Sequence, residues 1–120
     1  MNFFDLDDDD KLCAEAHCDK HIVKMILEYA QLLSSAHHVY NSPIADKVYK
    51  KTHVNHPTAV WVRQSIDNYK RVYRVMLALG EEYTKRYGKT HLTITKMKNL
   101  LAIPPEGLPH LGPLPVPQCI

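Results

Sequence analysis

The strongest constraint on this chain is a stretch without a single glycine or proline, Leu12 to His38, in which apolar residues return at helical spacing. Ile22, Val23, Ile26, Ala30 and Leu33 fall on one side when each residue is turned by about 100° from the last. The pattern predicts one long amphipathic helix from Leu12 to about His38. Asp7, Asp8, Asp9 and Asp10 precede it, where a short carboxylate caps the first amides and negative charge suits the helix dipole. A second helical run begins at Pro57, a residue suited to the first helical position, with His56 or Asn55 as its cap. It continues to about Tyr87. Trp61, Ser65, Tyr69, Val72, Tyr73, Met76, Leu79 and Tyr83 line its inner face, and Gly88 is placed to stop it. Between the two runs, residues Val39 to Asn55 read as a loop, broken by Asn41, Ser42 and Pro43. A short third helix is predicted over Thr95 to Ala102, capped by Thr93 or Thr95.

The ends have a different character. Asn2 to Leu6 is a short apolar stretch, extended or the start of a strand. From Ile103 onward the composition changes, with six prolines among the last 18 residues. Such a tail is expected to be extended, polyproline-like and partly mobile, wrapped over the domain. The predicted fold class is therefore all-α: two long packed helices, a short third helix, a short extended N-terminal segment and a proline-rich extended C-terminal tail. Residues 1–103 form the helical domain and 104–120 the tail. A length of 120 residues with 45% hydrophobic content suits one globular domain and argues against global disorder. Three cysteines, Cys13, Cys18 and Cys119, are too few and unevenly numbered for a disulfide framework and are expected to be free thiols.

Chemistry-bearing residues concentrate on the first helix. His17, His21, Lys24, Glu28, Gln31 and Ser35 are spaced 4, 3, 4, 3 and 4 apart. That spacing draws them into one narrow stripe opposite the aliphatic one. A stripe opening with two histidines and then alternating lysine and glutamate suggests titratable groups lining a cleft that faces the chain's start and the second helix. A solvated face is the plainer alternative. A second cluster, His53, Asn55 and His56, sits just before the second helix, where amide groups at a helix start favour phosphate; capping and turn roles account for Asn55 and His56 equally well. His17 and His21, one turn apart, also have the spacing of two ligands to one metal ion, though Lys24 in the same stripe opposes a cation. The net charge is only +2, but the acids Asp5 and Asp7 to Asp10 gather at one end, leaving Arg63, Lys70, Arg71, Arg74, Lys85, Arg86 and Lys89 in one basic segment. On the second helix, Arg63, Lys70 and Arg74 share the outer side, a stripe that attracts backbone phosphates or simply faces water.

These residues resemble those of phage pyrimidine dimer DNA glycosylases, the endonuclease V family. The opening Met1-Asn2-Phe3-Phe4-Asp5-Leu6 is similar to that family's short N-terminal strand. Ala14-Glu15-Ala16-His17 is similar to the start of its first helix, where a histidine precedes the catalytic carboxylate. The stretch from His56-Pro57-Thr58 to Lys85-Arg86-Tyr87-Gly88 is similar to its long second helix. The segments HCDKHIVKMILEYAQLL and NHPTAVWVRQS also resemble uncharacterised short phage proteins. The resemblance spans about the first three quarters of the chain. It implies a helical DNA-repair fold and a mechanism in which a free N-terminal amine attacks the sugar C1′ of a damaged nucleotide, expels the base and leaves a Schiff base that cuts the strand by elimination. An α-amino group suits this because its pKa, about 8, leaves some of it neutral near physiological pH. The amine belongs to Met1 or, with Met1 removed, to Asn2. The family's carboxylate stands seven residues after the histidine, which is Lys24 here; Glu28, one turn further on the same face, is the residue expected to take its role, with His17, His21 and Lys24 beside it. His53, Asn55, His56, Arg63, Lys70, Arg74 and Arg86 are the expected substrate-binding residues.

Two other readings stay open. One is a non-enzymatic phage accessory protein whose stripe recognises a nucleotide, a nucleic acid or a host protein. The other is a metal-dependent hydrolase of nucleotides or phosphoesters using His17 and His21. DNA is the expected partner and no cofactor is called for. No apolar run approaches the roughly 18 residues a membrane span needs, and the acidic opening has no signal-peptide pattern. The expected address is the cytoplasm, that of the host cell if the chain is viral.

Overall fold

A computed structural model of the protein describes residues 3–117. Among these there are five helices and no strand: α1 Asp10–Glu15, α2 Asp19–Val39, α3 Pro57–Gln64, α4 Ile66–Tyr87 and α5 Leu92–Met97. The all-α expectation holds. Both of the long helices predicted from periodicity are divided, however, and the N-terminal segment is extended without pairing into a strand.

The first division falls at Ala16 to Cys18. Asp9 caps α1, its side chain accepting from the Leu12 amide at 2.9 Å. The chain then turns and restarts at Cys18, which caps α2 without a side-chain bond. Carbonyls freed at a helix end need donors. Here Arg86, from the last turn of α4, donates to Glu15 O at 3.2 Å and His17 O at 3.1 Å, and pairs with Asp19 at 2.8 Å. The second division falls at Ser65, which is extended (φ −152°, ψ 144°) and caps α4. The amide of Ile66 donates to the Pro109 carbonyl of the tail at 2.8 Å. Asn68 fixes the same junction: its amide nitrogen donates to Trp61 O and its oxygen accepts from the Leu114 amide. Trp61 in turn donates from its indole N–H to Leu114 O at 2.9 Å. Tail carbonyls and amides thus take up the polar groups that an unbroken helix would have satisfied itself.

The core lies between α2 and α4, with α1, α3 and α5 closing its sides. Ile22, Ile26, Ala30 and Leu33 are fully buried, as their stripe predicts. Val23 is the exception at 45% exposed, because it looks onto a surface groove described below. From the second run, Trp61, Ser65, Tyr69, Val72, Met76 and Leu79 are buried, while Tyr73 and Tyr83 are half-buried. Gly88 ends α4 in the left-handed conformation, φ 71°. The third helix begins earlier than its threonines suggested: His91 caps it, its ring accepting from the Thr93 amide at 3.1 Å. Gly80 on α4 lets α5 approach closely; a Cβ there would stand 2.7 Å from Ile94 Cγ1.

Candidate active site

The stripe on the leading helix is put to three different uses. His17 stands not on α2 but in the turn before it, and is buried. Its Nδ1 lies 2.7 Å from the Cys13 carbonyl, which can only accept, so Nδ1 carries the proton. Nε2 then accepts from the Tyr29 hydroxyl at 3.3 Å, and that hydroxyl accepts from the Phe4 amide at 2.9 Å. The result is a closed chain of hydrogen bonds from Phe4 through Tyr29 and His17 to α1. Burial pushes the His17 pKa below its ordinary value, against the bond to Cys13, with His21 and Arg86 adding to the lowering. Burial likewise raises the Tyr29 hydroxyl. His17 thus links α1 to Tyr29 through both ring nitrogens. Both its ring nitrogens are engaged in hydrogen bonds, and the described residues contain no group of three His, Cys, Asp or Glu side chains able to hold an ion.

His21 is exposed on the first turn of α2, and its ring stacks on Phe4 at 4.9 Å and 12°. Ser35, at the other end of the stripe, is buried. Its hydroxyl holds both backbone groups of Thr52, donating to the carbonyl at 3.3 Å and accepting from the amide at 3.2 Å.

Between these ends, Lys24, Glu28 and Gln31 line an open groove of about 510 Å³ together with Val23, Leu27, Thr52, His53 and His91. Ser35 positions its far wall by gripping Thr52. His53 follows in a left-handed backbone conformation, φ 47°, that non-glycine residues adopt at a cost. His91 closes one end, its Nδ1 occupied by the Thr93 amide and its Nε2 donating to the Val23 carbonyl at 3.3 Å. Glu28 is the most unusual group here. Its side chain is 19% exposed, Lys24 Nζ stands 3.7 Å from Oε2, and that oxygen is buried with no hydrogen-bond partner among the described residues. A buried, under-satisfied carboxylate oxygen carries a desolvation cost that a bound donor or a developing positive charge would relieve.

The remaining candidates are dispersed. His56 caps α3 by accepting from the Thr58 amide at 3.2 Å, and Asn55 is exposed beside it. Arg63 donates to Val54 O at 2.6 Å, one residue from His53. Arg74 pairs with Asp10, and Arg86 with Glu82 and Asp19. Lys70 is exposed on α4. None of these lines the groove. Met1, Asn2 and Cys119 lie outside the described residues; Cys13 is a buried and Cys18 an exposed free thiol. Val23, Leu27, Thr52 and His91 were not singled out from the sequence as groove residues. His91 carried one local signal, a polar ring just before a helical segment, but nothing local places that helix start against α2.

No curated protein and no solved structure matches the chain. No helix among the described residues is long and apolar enough to cross a membrane. The family model described as pyrimidine dimer DNA glycosylase matches residues 1–95, which takes in the N-terminal segment, α1 to α4, and the groove with its His91 edge. The chain belongs to the pyrimidine dimer DNA glycosylase family, a family of DNA-repair enzymes.

Proposed function

We propose that this protein is a DNA glycosylase with AP-lyase activity on damaged pyrimidines, using an amine at the chain's start as nucleophile and Glu28 as the helix carboxylate. The observation that carries the reading is the Glu28 carboxylate, half-sunk in an open groove on α2 with one oxygen unsatisfied. The segment following the chain's start docks on the same helix: Phe4 bonds to Tyr29 and stacks on His21, and Phe3 lies 5.1 Å from the Tyr29 ring.

In this scheme the neutral amine of Met1 or Asn2 attacks C1′ of the damaged nucleotide. The new N–C1′ bond forms as the glycosidic bond breaks, and its electron pair leaves with the base, which takes up a proton. The sugar ring opens to an iminium. Glu28 stabilises the positive charge developing on the sugar and receives the proton lost from C2′; the C3′–O bond then breaks and releases the phosphate-bearing strand. Lys24 pairs with the carboxylate and offers a cation to a neighbouring phosphate. His53 lines the opposite wall, and Lys70 with the other basic residues of α4 meets the DNA backbone, which attracts them regardless of sequence. Distortion and exposure of the damaged nucleotide let the amine reach C1′.

The test is covalent trapping. Borohydride should fix the protein to duplex DNA bearing a cyclobutane pyrimidine dimer or an abasic site. Chemical blocking of the terminal amine should abolish the adduct. An adduct that survives blocking moves the nucleophile to a lysine side chain, and no adduct at all removes the lyase reading.

A further inference from the structure

We infer that Gln31 is the specificity residue of the Glu28 groove, its side-chain amide pairing with the N3–H and a neighbouring carbonyl of a damaged pyrimidine. The inference rests on the glycosylase reading proposed above and adds what the groove recognises.

Two rows of side chains on α2 run along the groove. Val23, Leu27 and Gln31 follow one another at intervals of four, with Lys24 and Glu28 beside them. Residues at that interval lie one above the other on a helix face. The first row begins with aliphatic side chains that the fold leaves in the open: Val23 is 45% and Leu27 39% exposed. An apolar strip of this kind suits the flat face of a nucleobase. Gln31 ends the row. It is half-buried, and no hydrogen bond within the described residues engages its amide. Its near neighbours are treated differently, since Ser34 donates to Ala30 O at 2.7 Å and Ser35 grips Thr52. A free donor and a free acceptor therefore stand side by side where the apolar strip stops.

That pair matches the edge of a pyrimidine. A carboxamide offers an N–H and a C=O in one plane. Thymine shows N3–H beside O4, so the two groups form two hydrogen bonds; turned over, the same amide meets N3 and the N4 amino group of cytosine. This edge is intact in a cyclobutane dimer, whose new bonds join C5 and C6, and it is free once the base has lost its partner. The spacing agrees. Gln31 lies three residues beyond Glu28, which sets their Cβ atoms about 5 to 6 Å apart, similar to the span from C1′ across the ring to its far edge. A carboxylate acting at C1′ thus leaves the amide at the edge of the base.

The test compares the full-length protein with Gln31→Ala and Gln31→Met, the second keeping the length of the side chain and losing the amide. Each acts on two duplexes, one with a thymine dimer and one with an abasic site, where there is no base to recognise. Single-turnover cleavage at the dimer should fall about 10- to 100-fold in both variants, while cleavage at the abasic site stays within about twofold of wild type. A dimer built from N3-methylthymine should cost the wild type a similar factor and the variants little. Unchanged dimer cleavage in the variants, or equal losses on both duplexes, would overturn the inference; equal losses would make Gln31 a contact to the DNA backbone. Wild type that cleaves neither duplex defeats the glycosylase reading and this inference with it. Wild type that cleaves abasic but not dimer-bearing DNA defeats the pyrimidine assignment alone. If Gln31→Ala does not fold, Gln31→Met and the methylated dimer decide the matter.

Discussion

His17 and Glu28 lie on one predicted stripe, yet their surroundings are opposite. His17 is buried with both ring nitrogens bonded, at the centre of a chain running from Phe4 to Cys13. Glu28 borders an open groove with an oxygen that has no hydrogen-bond partner among the described residues. A fully satisfied polar group stabilises one conformation and has no free valence to offer a substrate. An under-satisfied group is held at a cost by the fold and gains when something binds. Matching spacing therefore produced a fully bonded residue at one end and an under-satisfied one beside a groove in the middle. The difference comes from the partners that tertiary structure supplies.

The comparison breaks most sharply at Glu28. Glu28→Gln keeps the shape and removes the charge. It is expected to lower single-turnover cleavage by at least about 100-fold, while the denaturant midpoint changes little, since the buried oxygen it replaces makes no hydrogen bond among the described residues. A variant that cleaves normally would take the carboxylate role away from Glu28. A variant that unfolds would show that the oxygen is satisfied in solution and the contrast with His17 is false.

His17→Ala is expected to do the reverse. It leaves the Tyr29 hydroxyl and the Cys13 carbonyl without their partner and empties a buried site, a loss of about 3 kcal/mol. Chemical denaturation followed by Trp61 fluorescence measures it, because Phe3 stacks on that indole. The chemical step of the folded fraction should be less affected than in Glu28→Gln. If His17→Ala were as stable as wild type but inactive, His17 would belong to the reaction.

How much of this was visible beforehand depends on how local the cause is. Pro57 with its His56 cap, the Gly88 stop and the buried face of α4 follow from neighbouring residues, and the sequence exposes them. The breaks at Ala16–Cys18 and Ser65 do not. They are sustained by Arg86 reaching Glu15 O and His17 O, and by Pro109 O reaching the Ile66 amide, from far along the chain. Ser65 followed by Asp67 was a cap signature in plain sight, but an unbroken apolar face concealed it. The groove was half legible. Lys24, Glu28 and Gln31 share it as their spacing implies. Its other wall depends on Ser35 holding Thr52 and on His91 meeting Val23, contacts that no periodicity encodes.

His37 stands between the two, with Nε2 bonded and a buried Nδ1 that has no hydrogen-bond partner among the described residues, and it carries the comparison to pH. It is buried, its Nε2 donates to the Tyr69 hydroxyl at 2.8 Å, and that hydroxyl donates to Leu101 O. Burial, with His38 nearby, lowers its pKa from 6.5 to about 4. The unfolded chain therefore takes up the proton first as pH falls. The stability contribution is complete above about pH 6.5, is lost progressively down to about pH 4, and at about 1.4 kcal/mol per pKa unit amounts to roughly 3 kcal/mol. His17 shifts in the same direction and adds to the acid sensitivity. Unfolding free energy measured between pH 7 and pH 4 in wild type and His37→Gln should show a shallower slope in the variant. Equal slopes would mean that the buried imidazole is not the acid-labile element.

The smallest effect is expected at His53, on the open side. Its ring is exposed on the groove wall, and its backbone sits at φ 47°. That conformation costs a non-glycine residue about 1 to 2 kcal/mol, though histidine is among the residues found there more often. Glycine removes the strain but gives the unfolded chain more freedom, worth roughly 0.4 to 1 kcal/mol against folding. His53→Gly should therefore be neutral or stabilised by up to about 1 kcal/mol, while single-turnover cleavage falls by roughly tenfold as the groove loses a wall. Stability and activity moving in opposite directions is what a strained residue kept for binding predicts. Destabilisation by more than about 1 kcal/mol, with cleavage unchanged, would place His53 on the structural side with His17.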